Sequence, residues 1–500
     1  MAEDGLGASV AGQDRHLNFI DGQYREPLSG EWLESIDPST GKAWTLVPSS
    51  GVDDVDAAVA AAKRAFRGPW SKLTAGQRAA LMRKLAALVD ENADELARLE
   101  TRGNGRILAE TRNGDIPMIG QILHYYAGAA DKIQGETIET SPASLIYTRH
   151  QPVGVVAAIL PWNAPLATLT GKMAPALAAG CTIVIKPAET SSCSSLVFAR
   201  LIAEAGIPDG VVNIISGLGP VVGDALAGHP DVAKITFTGS TATARAITRR
   251  SADAIKPLGL ELGGKSANIV FADADLDAAV IGTTTAAIFT AGAGQVCIAG
   301  SRVLVQRSIH DAFVDRMAGK ARQIRLGDPM ERTTQMGPLA LGKQFDKVRG
   351  YLDIATAEGA ELVTGGRHGE ALFDPGDALG GGYWVEPTLY VGVDNAMRIA
   401  REEIFGPVAV VIPFDDEAEA VAIANDSEYG LAAGVWTNNL KRAHRVAAAI
   451  DVGSVWINCY RRMHWAVPFG GVKNSGYGRD SGLEAIRGYQ FTKAVTVDLT

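Results

Sequence analysis

The chain has 500 residues, of which 47% are hydrophobic and 21% are charged, and its formal net charge is −9. This length exceeds one simple core and predicts two or three domains. The acidic charge balance argues against a surface that binds nucleic acid or an anionic membrane.

The cysteine content indicates a reducing compartment. Four cysteines in 500 residues are too few for a disulfide framework. They show no metal-ligand spacing with one another or with histidine, so we expect no metal site. No basic and apolar signal region and no run of 18 uncharged apolar residues occurs. We therefore expect a cytoplasmic protein without a membrane partner.

The first third of the chain is predicted to be mainly helical. Residues 1–15 are small and acidic and predict a disordered lead. Asp-Gly at 21–22 is typical of a hairpin turn. Apolar residues at helical spacing predict a helix over 52–66 and one or two more within 77–101.

From residue 152 onward, apolar stretches of strand length alternate with helical stretches. The strand-like runs lie at 152–161, 182–187, 211–216 and 234–239. Such alternation predicts an α/β fold whose parallel sheet is covered on both faces. We predict that 16–133 and 152–263 form a dinucleotide-binding domain.

The pattern begins again after residue 264. Strand-like runs at 266–271, 302–306 and 406–414 alternate with helical stretches and predict a second α/β domain over 264–470. The β-like segments 134–151 and 484–500 belong to neither half. They predict a small projecting β element that pairs with another chain.

Polar or glycine-rich turns follow four of the predicted strands, where α/β sheets bind ligands. They contain PWNAP, KPAE, SGLGP and FTGS, but the chain has no GxGxxG fingerprint. Ser240 either caps a helix or presents backbone N–H groups to a phosphate. Lys186 and Glu189 either bind a nucleotide ribose or form a surface ion pair.

Three further residues could carry chemistry. Cys297 lies in GAGQVCIAG, which is either a tight turn or a nucleophile with small neighbours that leave room for ligands. Glu261 is either a desolvated base or the partner of Lys265 or a helix end. Asn163 either caps a turn or donates to a developing oxyanion.

Nine stretches, read together, resemble the aldehyde dehydrogenase superfamily over residues 18–497. They are PWNAPL, KPAE, FTGS, LELGGKS, GQVCIAGSR, MGPL, EEIFGP, NDSEYGLAAGVW and PFGGVKNSGYGR. All nine follow that family's order and spacing. One such stretch would be a weak sign of the family, whereas nine in order carry the resemblance.

The resemblance implies catalytic roles. Cys297 would attack an aldehyde carbonyl, and Asn163 with the Cys297 N–H would form the oxyanion hole. Glu261 would activate water to hydrolyse the thioester. We expect local donors to lower the pKa of the thiol.

The resemblance also implies a bound NAD, with NADP less favoured because Glu189 would face a 2′-phosphate. Lys186 and Glu189 would hold the adenosine ribose, and Glu403 the nicotinamide ribose. The implied cofactor-binding residues are Ile159, Pro161, Trp162, Lys186, Glu189, Gly219, Phe237, Gly239, Ser240, Leu262, Gln344, Glu403 and Phe405. Homodimers or homotetramers are expected, with the two β segments forming the oligomerisation element.

The sequence departs from the family's usual residues at Ala244, Gly292 and Asp480, and the last replaces a common glutamate. The small residues Ala164, Thr168 and Gly171 predict a roomy substrate tunnel.

Near the tunnel mouth, Arg461 and Arg462 either meet an anionic aldehyde tail or pair with carboxylates.

Three other functions stay open at this point. A Cys-dependent acyl hydrolase would need no redox cofactor, and a CoA-acylating relative would pass the acyl group to CoA. A non-catalytic protein on the same fold would need none of Cys297, Glu261 and Asn163.

Overall fold

The computed structural model describes residues 6–10, 13–290 and 292–500. It confirms the α/β class, because two large sheets are each built around parallel strands. Within the described residues, no helix has the length and apolar character that crossing a membrane requires.

The first large sheet has eight strands, and its five central strands run parallel. In spatial order the strands are Gly476–Tyr477, Leu258–Glu261, Lys234–Thr238, Val155–Ile159, Thr182–Lys186, Val212–Ile214, Asn18–Ile20 and Gln23–Arg25. The four predicted strands of this half are confirmed, and so is the hairpin at Asp21–Gly22.

The strand Val155–Ile159 shows why these runs are continuously apolar. Val156 and Ala158 pack into one core cluster, whereas Val155, Ala157 and Ile159 pack into another on the opposite face. Both faces are covered, so neither can be polar.

Helices and helical turns of the first half flank this sheet. The α-helices are Val52–Arg67, Pro69–Lys72, Ala75–Glu91, Ala93–Asn104, Leu108–Glu110, Ile116–Ala129, Pro165–Ala179, Cys193–Glu204, Asp224–Gly228 and Thr241–Ser251. The π-helical turns are Thr111–Asp115 and Gly219–Gly223, and the 3-10 turns are Ala130–Lys132, Glu189–Ser191 and Ala252–Ala254. The helix Ala75–Glu91 begins with a capping box, in which Thr74 and Gln77 satisfy each other's backbone N–H groups.

The second large sheet has seven strands around a separate core cluster. Its strands are Glu361–Thr364, Thr388–Val391, Val408–Phe414, Arg302–Gln306, Ala267–Val270, Ala432–Trp436 and Ser454–Ile457. Its α-helices are Leu276–Ile281, His310–Arg322, Gly342–Ala357, Arg398–Arg401, Glu417–Asn425 and Leu440–Ala449. A π-helical turn covers Gly282–Ala286, and 3-10 turns cover Gly292–Gly294, Arg307–Ile309, Gly369–Leu372 and Ala378–Gly381.

After the second sheet the chain returns to the first. Tyr429–Gly430 pairs with Val472–Lys473, and Gly476 then pairs with Glu261 at the edge of the first sheet. This return brings residues 468–480 beside Glu261, a proximity that the sequence did not predict.

The two β-like segments pair with each other in a three-stranded sheet. Its strands are Thr137–Ile138, Ser144–Pro152 and Gln490–Asp498, which follows the helix Gly482–Arg487. The register runs from Gln490↔Pro152 to Asp498↔Ser144. Pairing with a second chain stays a prediction.

The prediction of a disordered lead over residues 1–15 is wrong for the part that the structure describes. Leu6–Val10 and Gln13–His16 are antiparallel strands, and Arg15 pairs with Leu46 in a sheet that also contains Lys42–Pro48 and Trp32–Asp37. The Arg15 guanidinium lies 4.6 Å from the Trp32 ring centre, a cation–π contact that polar composition does not reveal. Residues 1–5 and 11–12 lie outside the described residues.

Candidate active site

The catalytic loop at 292–300 is shaped by close backbone packing. Gly294 has φ +73°, and a Cβ there would overlap the Gly406 carbonyl oxygen. A Cβ on Gly264 would lie 2.7 Å from the Cys297 carbonyl oxygen. These glycines therefore allow close backbone approach, which is the tight-turn feature that the sequence offered as one alternative.

Asn163 lies between the strand Val155–Ile159 and the helix Pro165–Ala179. Its Nδ2 donates to the Gln295 carbonyl oxygen at 2.8 Å. Gln295 is buried, and its Oε1 accepts from the Ala340 N–H at 2.8 Å. The structure thus brings Asn163 to the loop that carries Cys297.

Glu261 ends a strand of the first sheet and is only 5% exposed. Its Oε2 has no hydrogen-bond partner among the described residues. Burial raises the pKa of Glu261 well above its ordinary value, Asp480 adds to the rise, and Lys172 and Arg479 oppose it. The alternative pairing with Lys265 is not seen, since the Lys265 Nζ also lacks a hydrogen-bond partner within the described chain.

The Cys297 thiol lies among charged groups of both signs. Burial raises its pKa to about 12, Glu261 and Glu403 add to the rise, and Arg461 opposes it. The expectation of a lowered thiol pKa is therefore wrong for the chain alone. Two carboxylates from distant parts of the sequence stabilise the protonated thiol.

Buried Lys172 and half-buried Asp480 form an ion pair that the sequence reasoning did not include in the site. The Lys172 Nζ donates to Asp480 Oδ2 at 2.9 Å and to Thr236 Oγ1 at 3.0 Å, and Lys172 is fully buried. Lys172 is the only charged residue of the helix Pro165–Ala179. A single charged residue in an otherwise apolar helix was the sequence feature that could have identified Lys172.

The ends of the parallel strands converge as predicted. Lys186 is 3% exposed, and its Nζ donates to Glu189 Oε2 at 2.7 Å, so the predicted ion-pair alternative is present. Ser240 is the N-cap of the helix Thr241–Ser251, and its Oγ accepts from the Thr243 N–H at 3.2 Å. Neither contact prevents these groups from meeting a ligand.

The same edge has room and an unused polar group. A Cβ on Gly219 would meet no atom within 4 Å. The Thr238 Oγ1 is buried without a hydrogen-bond partner among the described residues. An open position and an unpartnered hydroxyl beyond the ends of two parallel strands of one sheet fit a ligand with phosphate and hydroxyl groups.

Glu403 and Phe405 belong to the second half of the chain and form the other side of the candidate cofactor site. Glu403 Oε1 accepts from the Gly264 N–H at 3.1 Å, and burial raises the pKa of Glu403. The Phe405 ring lies edge-on to Trp162 at 5.3 Å, which joins the two halves.

Other predicted cofactor residues support the site through packing or backbone contacts. Gln344 Nε2 donates to the carbonyl oxygens of Ile404 and Phe405, both at 2.8 Å. The buried side chains of Ile159, Phe237 and Leu262 belong to the core. A Cβ on Gly239 would lie 2.5 Å from the Phe237 ring, and Pro161 is half-buried before Trp162. Direct contact of these residues with a cofactor stays a prediction.

Lys265 is a second buried group that sequence reasoning did not place in the site. Burial lowers its pKa to about 7, Arg302 adds to this shift, and Glu403 opposes it.

No cluster of three potential metal ligands occurs among the described residues.

Comparison with known proteins gives one consistent result. The model of the "Aldehyde dehydrogenase family" matches residues 24–495. An aldehyde dehydrogenase of Alternaria alternata is 43% identical over 96% of this chain and 95% of its own length. One from Emericella nidulans is 44% identical over 95% of this chain and 94% of its own length.

A solved structure agrees. The NAD+ complex of a Bacillus cereus aldehyde dehydrogenase is 45% identical, with a TM-score of 0.94, and the match covers 97% of this chain and 96% of that one. The chain therefore belongs to the aldehyde dehydrogenase family and is an NAD(P)-dependent aldehyde dehydrogenase.

Proposed function

We propose that the Cys297 sulfur attacks the aldehyde carbonyl carbon while Asn163 Nδ2 and the Cys297 N–H stabilise the oxyanion. The supporting observation is that Asn163 Nδ2 reaches the backbone of Gln295, two residues before Cys297. Pre-aligned donors at a developing oxyanion contribute about 10²–10³ in rate. Bound NAD(P) supplies the hydride acceptor, and the oxidised product remains attached to Cys297 as a thioester.

Glu261 then takes a proton from the water that attacks the thioester carbonyl. The carbon–sulfur bond breaks, the carboxylic acid leaves, and Glu261 passes the proton it took from water to the Cys297 sulfur. The free Oε2 and the raised pKa of Glu261, caused first by burial and then by Asp480, support this role. A base with a raised pKa accepts a proton more readily near neutrality.

The cofactor-binding side of the proposal uses the first domain, residues 16–133 and 152–263, and the catalytic side uses 264–470. Lys186 and Glu189 hold the adenosine ribose, Ser240 lies at the pyrophosphate, Gly219 lines the cleft, and Glu403 binds the nicotinamide ribose. The convergence of the strand ends supports this assignment.

NAD is preferred over NADP in this proposal. A 2′-phosphate about 4 Å from Glu189 would meet a repulsion of roughly 1 kcal/mol in water and roughly 4 kcal/mol at intermediate dielectric. Lys186, only 2.7 Å from Glu189, offsets part of that repulsion. We expect kcat/KM to be higher for NAD, and an equal or higher value for NADP would contradict the preference.

The assembly is proposed to be a cytoplasmic homodimer or homotetramer. The free state of Cys181, Cys193, Cys297 and Cys459 fits a reducing compartment. The three-stranded sheet supports assembly because its residues Ile138, Leu145, Phe491 and Val497 are exposed.

The activity is tested by aldehyde-dependent formation of NADH, followed at 340 nm. We expect Cys297→Ala to abolish it while NAD binding, measured by fluorescence quenching, persists. A Cys-dependent acyl hydrolase would give no NADH signal, and a CoA-acylating enzyme would form acyl-CoA when CoA is added. A non-catalytic protein would show no turnover with any of these reagents.

A further inference from the structure

We propose that Arg461 makes this enzyme selective for aldehydes that carry a carboxylate at the end remote from the carbonyl. The inference rests on the proposed function, because it takes Cys297 as the point of attack. The guanidinium would bind the carboxylate through two parallel N–H donors, a geometry that arginine offers and lysine does not.

The backbone places Arg461 beside the catalytic loop. The preceding residue, Tyr460, is 5% exposed, and its hydroxyl donates to the Ile298 carbonyl oxygen at 2.7 Å. Ile298 directly follows Cys297. The backbone on the other side of Arg461 is held as well, because Trp456 Nε1 donates to the Arg462 carbonyl oxygen at 3.1 Å. The segment that carries Arg461 is therefore held against the catalytic loop.

The Arg461 guanidinium is half-buried and makes no hydrogen bond or ion pair with the described residues. It nevertheless acts electrostatically on two groups of the site. Burial raises the pKa of both Cys297 and Glu110, and the positive charge of Arg461 opposes the rise in each. A guanidinium that acts on the site without a bonded partner among the described residues is available to an anion.

Glu110 already has a bonded partner. Arg106, which is 7% exposed, forms ion pairs with both Asp115 and Glu110. A Cβ on Gly292 would lie 3.7 Å from Arg106 Nε, so this cluster borders the catalytic loop. Arg461 is thus not required to satisfy the hydrogen bonds of Glu110.

Small residues line one face of the helix that follows Asn163. Ala164, Thr168 and Gly171 are half-buried and lie one helical turn apart, directly after Asn163. A Cβ on Gly171 or on Gly114 would meet no atom within 4 Å. These three positions therefore place no bulky side chain on this face of the helix.

The test compares aldehydes matched in length. Oxo-acids from 4-oxobutanoate to 8-oxooctanoate are paired with the neutral aldehydes from butanal to octanal, and kcat and KM are measured with NAD for each. We expect wild-type protein to prefer the oxo-acid at one chain length, because a fixed guanidinium selects a distance.

Three variants identify the residue. Arg461→Ala should lower the oxo-acid to neutral-aldehyde ratio of kcat/KM by about 10- to 100-fold, mainly through KM, as loss of a hydrogen bond to a charged group does. Arg461→Lys should recover only part of the ratio. Arg462→Ala, which removes the exposed neighbouring charge, should leave the ratio within about threefold of wild type, since exposed charge pairs contribute little.

Two results would overturn the inference while leaving the proposed function intact. One is oxidation of neutral aldehydes by wild type with no oxo-acid preference at any length. The other is an equal fall for both substrate series in Arg461→Ala. Absence of NADH formation from every aldehyde would instead mean that the proposed function itself fails.

Discussion

At the scale of single residues, burial sets the charge states of the two groups that carry the proposed chemistry. It raises the pKa of Cys297 to about 12, with Glu261 and Glu403 adding to the rise. It also raises the pKa of Glu261, with Asp480 adding to that rise. The thiol is therefore protonated at neutral pH in the chain alone, and its proton must leave before the sulfur can attack.

The pH dependence of thiol alkylation tests this charge state. Because the thiolate is the reactive form, alkylation of Cys297 by iodoacetamide should accelerate about tenfold per pH unit between pH 7 and 10. The rate is measured by mass spectrometry of the Cys297 peptide in cofactor-free protein.

Glu261→Gln is the matched variant for that experiment. It removes a carboxylate that raises the pKa of Cys297, so alkylation at a given pH should be faster than in wild type. A rate that levels off below pH 9 in the wild type would contradict the burial effect.

Several site residues could be predicted from sequence because they end strands. Lys186, Asn163 and Glu261 each follow or finish a buried apolar run, and parallel strands end at one edge of a sheet. The charge environment of Cys297 could not be predicted, since Glu261 and Glu403 are far apart in sequence and act on the thiol only in the folded chain. Asp480 reaches the site because residues 468–480 return to the first sheet.

At the scale of elements, a close contact joins the segment after the strand Leu258–Glu261 to the catalytic loop. A Cβ on Gly264 would meet the Cys297 carbonyl oxygen at 2.7 Å and the Leu431 Cβ at 3.2 Å. The carbonyl oxygen belongs to Cys297 itself, so relieving the shorter contact on that side would move Cys297.

Gly264→Ala should therefore reduce kcat/KM roughly 100-fold, because misplacing a catalytic atom by about 1 Å has an effect of that size. Steady-state kinetics and the melting temperature are measured together. Gly350→Ala is the control: it lies in the helix Gly342–Ala357, and its Cβ would meet no atom within 4 Å. The control should keep full activity and gain about 0.5–1 kcal/mol in unfolding free energy. Equal activity of both variants would contradict the proposed constraint.

Strands were predicted well where a continuous apolar run of strand length identifies them. The runs at 182–187 and 302–306 became the strands Thr182–Lys186 and Arg302–Gln306, because β-branched residues fill a sheet covered on both faces. The strand Leu6–Val10 was missed, since Gly, Ala and Ser carry little strand propensity. Its partner Gln13–His16 joins the sheet through Arg15 and Leu46, a long-range pairing that local sequence does not reveal.

At the scale of the whole molecule, the three-stranded sheet is the candidate for self-association. Leu145 and Val497 are register partners, with exposed fractions of 43% and 38%. Two large apolar side chains opposite each other on an exposed sheet are typical of a protein interface.

The double variant Leu145→Asp/Val497→Asp should shift the protein from a dimer or tetramer toward the 52.5 kDa monomer, because burying two carboxylates in an interface costs several kcal/mol. Light scattering after size-exclusion chromatography measures the mass. Ile255→Asp is the control, since Ile255 is 89% exposed and lies outside the sheet. A monomeric wild type, or an equal effect of the control, would argue against this interface.

The proposal that Cys297 forms the thioester and Glu261 promotes its hydrolysis is tested most directly by rapid mixing of Glu261→Gln with NAD and an aldehyde. The account predicts a burst of about one NADH per active site, followed by turnover about 10²–10⁴-fold slower than wild type. Intact-mass analysis of the quenched protein should find the acyl group on Cys297. Slow NADH formation without a burst would contradict the account, because Glu261 would then act before hydride transfer.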